Sequence, residues 1–139
     1  MRTRTRMAIA CAATAVLTVA FTGQASAADA TASCSTTGAS GGMSADYPSG
    51  EIWPYLEFGI SLSVTDTLAD GHHVRVRLIT KEVGNSAVVT WKWHSLTSGK
   101  GETLTLSTTA RDEYGIEATG VEVARFEGDE KLNYCRDWS

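Results

Sequence analysis

From Leu56 to Val64 the chain alternates without a break. Leu56, Phe58, Ile60, Leu62 and Val64 are apolar; Glu57, Gly59, Ser61 and Ser63 between them are not. A period of two places alternate side chains on opposite faces, so this run predicts a half-buried β-strand. Asp70-Gly71 marks a turn. Val74, Val76 and Leu78 then alternate with Arg75, Arg77 and Ile79 in a second strand. Gly84-Asn85-Ser86 breaks it, and Val88 to Leu96 reads as a third. After Gly99-Lys100-Gly101, Leu104 and Leu106 alternate with threonines in a fourth. Arg111-Asp112-Glu113 turns the chain into a fifth strand, Ile116 to Glu127, with a bulge expected near Gly120. Gly128-Asp129-Glu130 precedes a last short strand through Leu132 and Tyr134 to Cys135. Short strands at this spacing, with no helical period among them, predict an all-β fold: an antiparallel β-sandwich of six or seven strands with immunoglobulin-like architecture.

The N-terminus changes the picture of where the chain works. Arg2, Arg4 and Arg6 precede the apolar stretch Ala8 to Phe21, and Ala25-Ser26-Ala27 follows it. That order of a basic start, a short apolar run and small residues predicts a cleaved signal helix over residues 1–27. The protein is therefore expected to be secreted and extracellular, with no membrane contact after cleavage. Residues 28–46, rich in Ala, Ser, Thr and Gly and punctuated by Cys34, read as a poorly ordered leader pinned by a disulfide. Residues 47–139 read as the sandwich domain.

Cleavage after Ala27 leaves 112 residues, one domain's worth. They keep nine of the twelve Lys+Arg, since Arg2, Arg4 and Arg6 are lost. They keep all sixteen Asp+Glu, for a formal charge of −7. Such an acidic chain is not built to bind nucleic acid. Two cysteines remain, Cys34 and Cys135. In an exported chain such a pair predicts a disulfide joining the two ends of the domain.

The stretch from Gly71 to Ser95 holds all three histidines and two of the four tryptophans. A two-residue turn at Gly84-Asn85 would set Val76 opposite Trp93 and Leu78 opposite Trp91. Arg75 would then face His94, and Arg77 would face Lys92. That parity seals both indoles in the core and gathers Arg75, Arg77, Lys92 and His94, with Lys81 beyond them, on the other face. Like charges across a sheet repel, so the face needs a counter-charge. Glu102, Glu117 and Glu122 are available to cover it. The alternative is an anionic ligand, because the planar fork of arginine suits carboxylate, sulfate and phosphate.

Other chemistry is sparse. His72 and His73 are adjacent in a strand and point to opposite faces. His73 and His94 lack a third ligand, so no metal site is expected. Asp66 and Asp70 suit turn chemistry better than calcium. No nucleophile elbow, zinc motif or phosphate loop occurs, and no cofactor is expected. The residues point to a secreted, non-enzymatic binding module whose partner is an anionic or carbohydrate ligand, an anionic polysaccharide or an acidic protein. One alternative is a small hydrolase with His94 or His73 as base. Another is a protease inhibitor offering Lys100 from the glycine-rich, and so flexible, loop Leu96 to Glu102. Trp53 and Trp138 are not placed by the pattern.

The pieces DGHHVRVRL, TWKWHS, YGIEATGVEVARFEGD and the terminal CRDWS carry a resemblance to small secreted all-β proteins of actinobacteria, over about Asp66 to the C-terminus. The resemblance implies a secreted all-β domain and lends no activity. Some proteins of that type have a further cysteine pair near the last strand. Here Ala124 and Phe126 stand in a region without one.

Overall fold

The structure is a computed structural model, and it describes residues 29–46 and 56–139. The expected signal segment and Trp53 lie outside the described residues. The described chain is all-β and has two antiparallel sheets packed face to face. Its strands are β1 (Asp29–Thr36), β2 (Ala39–Asp46), β3 (Phe58–Asp66), β4 (His73–Glu82), β5 (Val88–Thr90), β6 (His94–Leu96), β7 (Thr103–Ala110), β8 (Ile116–Glu127) and β9 (Glu130–Trp138). The four-stranded sheet runs β1-β2-β3-β7. The five-stranded sheet runs β5-β4-β8-β9, with β6 also paired to β4.

Period two explains the packing. Phe58, Ile60, Leu62 and Val64 of β3 meet Val74, Val76 and Leu78 of β4 and Val121 and Val123 of β8 in one buried cluster. Each fully buried aliphatic side chain contributes roughly 1.5–3 kcal/mol relative to exposure.

Residues 29–46 depart from the expectation of a disordered leader. They form a hairpin, β1-β2, that completes the four-stranded sheet. Ala30, Ala32 and Cys34 point inward and Thr31, Ser33 and Ser35 outward, a period of two written in small side chains. Gly38, at φ 85°, supplies the left-handed residue of the tight turn between Thr36 and Ala39. The inward row suits a shallow space. A Cβ added at Gly41 would lie 2.9 Å from Val123 Cγ2 of the other sheet.

The expected disulfide is present. It joins Cys34 on β1 to Cys135 on β9, whose Cα atoms are 6.0 Å apart, and so ties the edge of one sheet to the edge of the other. Hydrogen bonds reinforce that seam. The Ser33 amide donates to Asp137 Oδ2 at 2.9 Å and the Thr36 hydroxyl to Asn133 Oδ1 at 3.1 Å.

The outer face of the four-stranded sheet is a grid of hydroxyls. Its cross-strand rows are Thr31-Ser44-Ser61-Ser107, Ser33-Gly42-Ser63-Thr105 and Ser35-Ser40-Thr65-Thr103. A shallow open depression of about 430 Å³ lies over its middle.

Candidate functional site

The expected hairpin register holds for half its length. Ile79 pairs with Thr90, and the Trp91 amide donates to the Leu78 carbonyl at 3.1 Å, as a Leu78–Trp91 pairing requires. The ladder then breaks at Trp91-Lys92-Trp93 and resumes one residue later, with Val76 opposite His94 and Arg75 opposite Ser95. One extra residue in a strand inverts the facing of everything beyond it.

The two indoles therefore part company, which corrects the expectation that both are core. Trp91 packs on the buried cluster, with its ring N–H donating to Thr80 Oγ1 at 3.1 Å. Trp93 lies on the other side. Its ring sits 4.2 Å from the Arg77 guanidinium and edge-on to Phe126 at 5.3 Å. On the outer face Trp93 gains a cation–π contact of about 1 kcal/mol. His94 moves the opposite way. It shares the core-side face with Val76 and does not join Arg75 and Arg77. Lys92 is exposed in the interruption, outside the ladder.

Arg75 and Arg77 are brought together with residues the hairpin pattern did not include. Opposite them on β8 stand Ala124 and Glu122, and beyond these on β9 stand Tyr134 and Arg136. Glu122 is the centre. Although 0 % exposed, it accepts from Arg77 Nη2 at 2.8 Å, Lys131 Nζ at 2.9 Å and Arg136 Nε at 3.0 Å. Burial works to raise its pKa, but the hydrogen bonds from Lys131, Arg77 and Arg136 outweigh burial and hold it below the ordinary carboxylate value. Of the three candidate counter-charges, Glu122 is the one at this centre. Glu117 instead accepts from the Gly84 amide at 3.3 Å.

Aromatic rings support the cations from beneath. Arg75 lies 4.1 Å from the Phe126 centroid, Lys131 4.2 Å from Tyr134 and Lys81 4.7 Å from Trp138. Trp138 itself lies flat on Gly120, where an added Cβ would come within 2.8 Å of the indole. Ile79 and Ala124, both buried, join the buried Phe126 ring in a thin second apolar layer on this face. The result is a cluster of partly buried cations: Arg75 and Arg77 are 17 % and 14 % exposed, Lys131 and Arg136 33 % and 34 %.

Sequence reasoning missed Lys131, Arg136, Tyr134 and Trp138. A signal for the last three was present. An inward Cys135 forces Tyr134 and Arg136 outward, and Trp138 follows at the same period.

The remaining candidates fall elsewhere. Asp66 and Asp70 accept from the amides of Leu68 and His72, both at 3.0 Å, and so serve as turn residues. The Lys100 loop, which the glycine-rich pattern offers as a flexible segment, is hydrogen-bonded to the end of β3. Gly99 and Gly101 adopt φ of 92° and 90°, and Gly101 N donates to the Asp66 carbonyl at 2.7 Å. His73, a candidate base, accepts a hydrogen bond from Arg75. Among the described residues no helix is long and apolar enough to cross a membrane.

No protein-family model and no curated protein matches the chain. Its functional reading rests on the geometry of this face.

Proposed function

We propose that this protein is a secreted, non-enzymatic binding module that takes an anionic polysaccharide, bearing carboxylate or sulfate groups, on the outer face of its five-stranded sheet. One observation carries the reading: five cations, Arg75, Arg77, Lys81, Lys131 and Arg136, share that face with one central carboxylate, Glu122. At the rim Arg75 also meets Asp129, which is 99 % exposed. In a chain whose net charge is −4, this patch has the opposite sign. Stacking on Phe126, Trp93, Tyr134 and Trp138 orders the long side chains in advance, so a ligand would not have to immobilise them. Tyr134, 53 % exposed, offers a ring edge to a sugar. The basic leader with its apolar run, together with the Cys34–Cys135 bridge, supports export to an oxidising compartment.

Retention on immobilised heparin tests the reading. The protein is expected to elute with rising salt, as exposed charges become screened. Arg75→Ala combined with Lys81→Ala should elute earlier, with its denaturation midpoint measured alongside to show that the fold survives. Retention that ignores both salt and the double substitution contradicts the proposal.

A further inference from the structure

His73 and Arg75 occupy the same outer face of β4, one period apart. Arg75 Nε donates to His73 Nε2 at 3.0 Å. Its Nη2 donates to the Gly128 carbonyl at 2.8 Å and to Asp129 Oδ1 at 3.0 Å. A ring nitrogen that accepts a hydrogen bond carries no proton, so this arrangement requires a neutral His73 protonated on Nδ1. Adding a proton at Nε2 turns the acceptor into a donor aimed at a donor. It also sets an imidazolium beside a guanidinium.

We propose that His73 and Arg75 form a proton-gated anion site: protonation of His73 releases the Arg75 Nε–H, and the two side chains then present their donors jointly to one sulfate or carboxylate group of the ligand. This rests on the reading of the face as anion-binding and adds its regulation. His73 thereby becomes part of the binding surface and the source of its pH dependence.

The groups that face His73 are few. On its own strand there is Arg75, with His72 the residue just before the strand. From the β8–β9 turn comes Asp129, and across the stacked Phe126 ring stands Lys131 of β9. Burial and the Arg75 charge hold the His73 pKa below the ordinary imidazole value of 6.5, with Asp129 acting against them. The folded chain thus disfavours the imidazolium. Without ligand, the fold binds fewer protons than the unfolded chain at mildly acid pH, and His73 makes it less stable as pH falls below about 6.5. A bound anion supplies the missing counter-charge. Proton uptake and anion binding therefore strengthen each other by the same factor.

The test uses heparin as the probe, because its sulfates keep their charge through the range studied. The affinity of the intact protein is expected to rise by about tenfold between pH 7.5 and pH 5.0 at constant salt. His73→Gln, whose amide oxygen goes on accepting from Arg75, should bind with little pH dependence; His94→Gln should behave as the parent does. In the absence of heparin, the Arg75 Nε–H resonance should move in step with the His73 ring titration. An Arg75 signal indifferent to that titration, or full pH dependence retained by His73→Gln, overturns the gate. Failure of the parent to bind heparin at any pH sinks the anion-binding reading, while the Arg75 resonance still decides whether the pair responds to protons.

Discussion

On the outer face of β1-β2-β3-β7, twelve adjoining positions hold eleven serines and threonines and Gly42. On the outer face of β4-β8-β9 the same pleat carries arginines, lysines, aromatic rings and one buried carboxylate. The first face is short, uncharged and ready to exchange hydrogen bonds with water. Such bonds contribute little net free energy to anything that displaces the water. The second face is tall and layered, and its charges are paired with Glu122 or stacked on aromatic rings. The contrast extends inward. The hydroxyl-faced sheet packs its β1-β2 hairpin through Ala30, Ala32, Ala39, Met43 and Ala45, mostly small groups that bury little apolar area. The cation-faced sheet has aliphatic residues within and a second apolar layer without. One sheet needs a covalent staple; the other is locked by a charge network.

The disulfide tests the first half of that statement and carries the largest expected effect. Closing a loop of 101 residues stabilises by up to about 4.7 kcal/mol in the chain-entropy model. Replacing Cys34 and Cys135 by alanine should lower stability by several kcal/mol. Hydrogen exchange should show β1 and β2 opening before β4 and β8. Uniform opening of both sheets would contradict the contrast.

Glu122 tests the second half. Glu122→Gln leaves Arg77, Lys131 and Arg136 without a counter-charge and should cost about 3 kcal/mol, less whatever solvent screens at Lys131 and Arg136, each about one-third exposed. The surviving fold should bind an anionic matrix more tightly, because its cations are freed. The pH profile follows from the same group. The folded Glu122 pKa lies below its ordinary 4.5, so its stabilisation is present above that pH and is lost as pH falls through the folded value. Acid titration of the denaturation midpoint should therefore be steeper for the parent than for Glu122→Gln, and equal slopes would remove Glu122 from the network. At the small end of the scale, Ser63→Ala on the hydroxyl face should change stability by no more than about 0.5 kcal/mol and leave heparin retention unchanged.

Much of this was legible before any coordinates. Strands with large alternating residues, β3 and β4, declare themselves, because a period of two is unmistakable when Leu, Ile and Val alternate with Ser or Arg. The β1-β2 hairpin escaped for lack of size, not of pattern: Ala30, Thr31, Ala32, Ser33, Cys34 and Ser35 alternate just as strictly. Arg75 and Arg77 were placed on the outer face by parity and stand there. The same parity fails for Trp93 and His94 because of one shifted residue after Trp91, which no local turn signal announces. Glu122 was one of three carboxylates available. Only the β4–β8 register, set by contacts far apart in sequence, selects it as the partner of Arg77.

Chemical-shift mapping with a heparin oligosaccharide tests the difference between the two faces most directly. The ring signals of Trp93, Tyr134 and Trp138 and the side-chain N–H signals of Arg75, Arg77 and Arg136 are expected to move on titration, while the amides of Ser44, Ser63 and Thr105 stay still. Shifts confined to the serine and threonine grid, with the cation-bearing strands silent, would contradict that expectation.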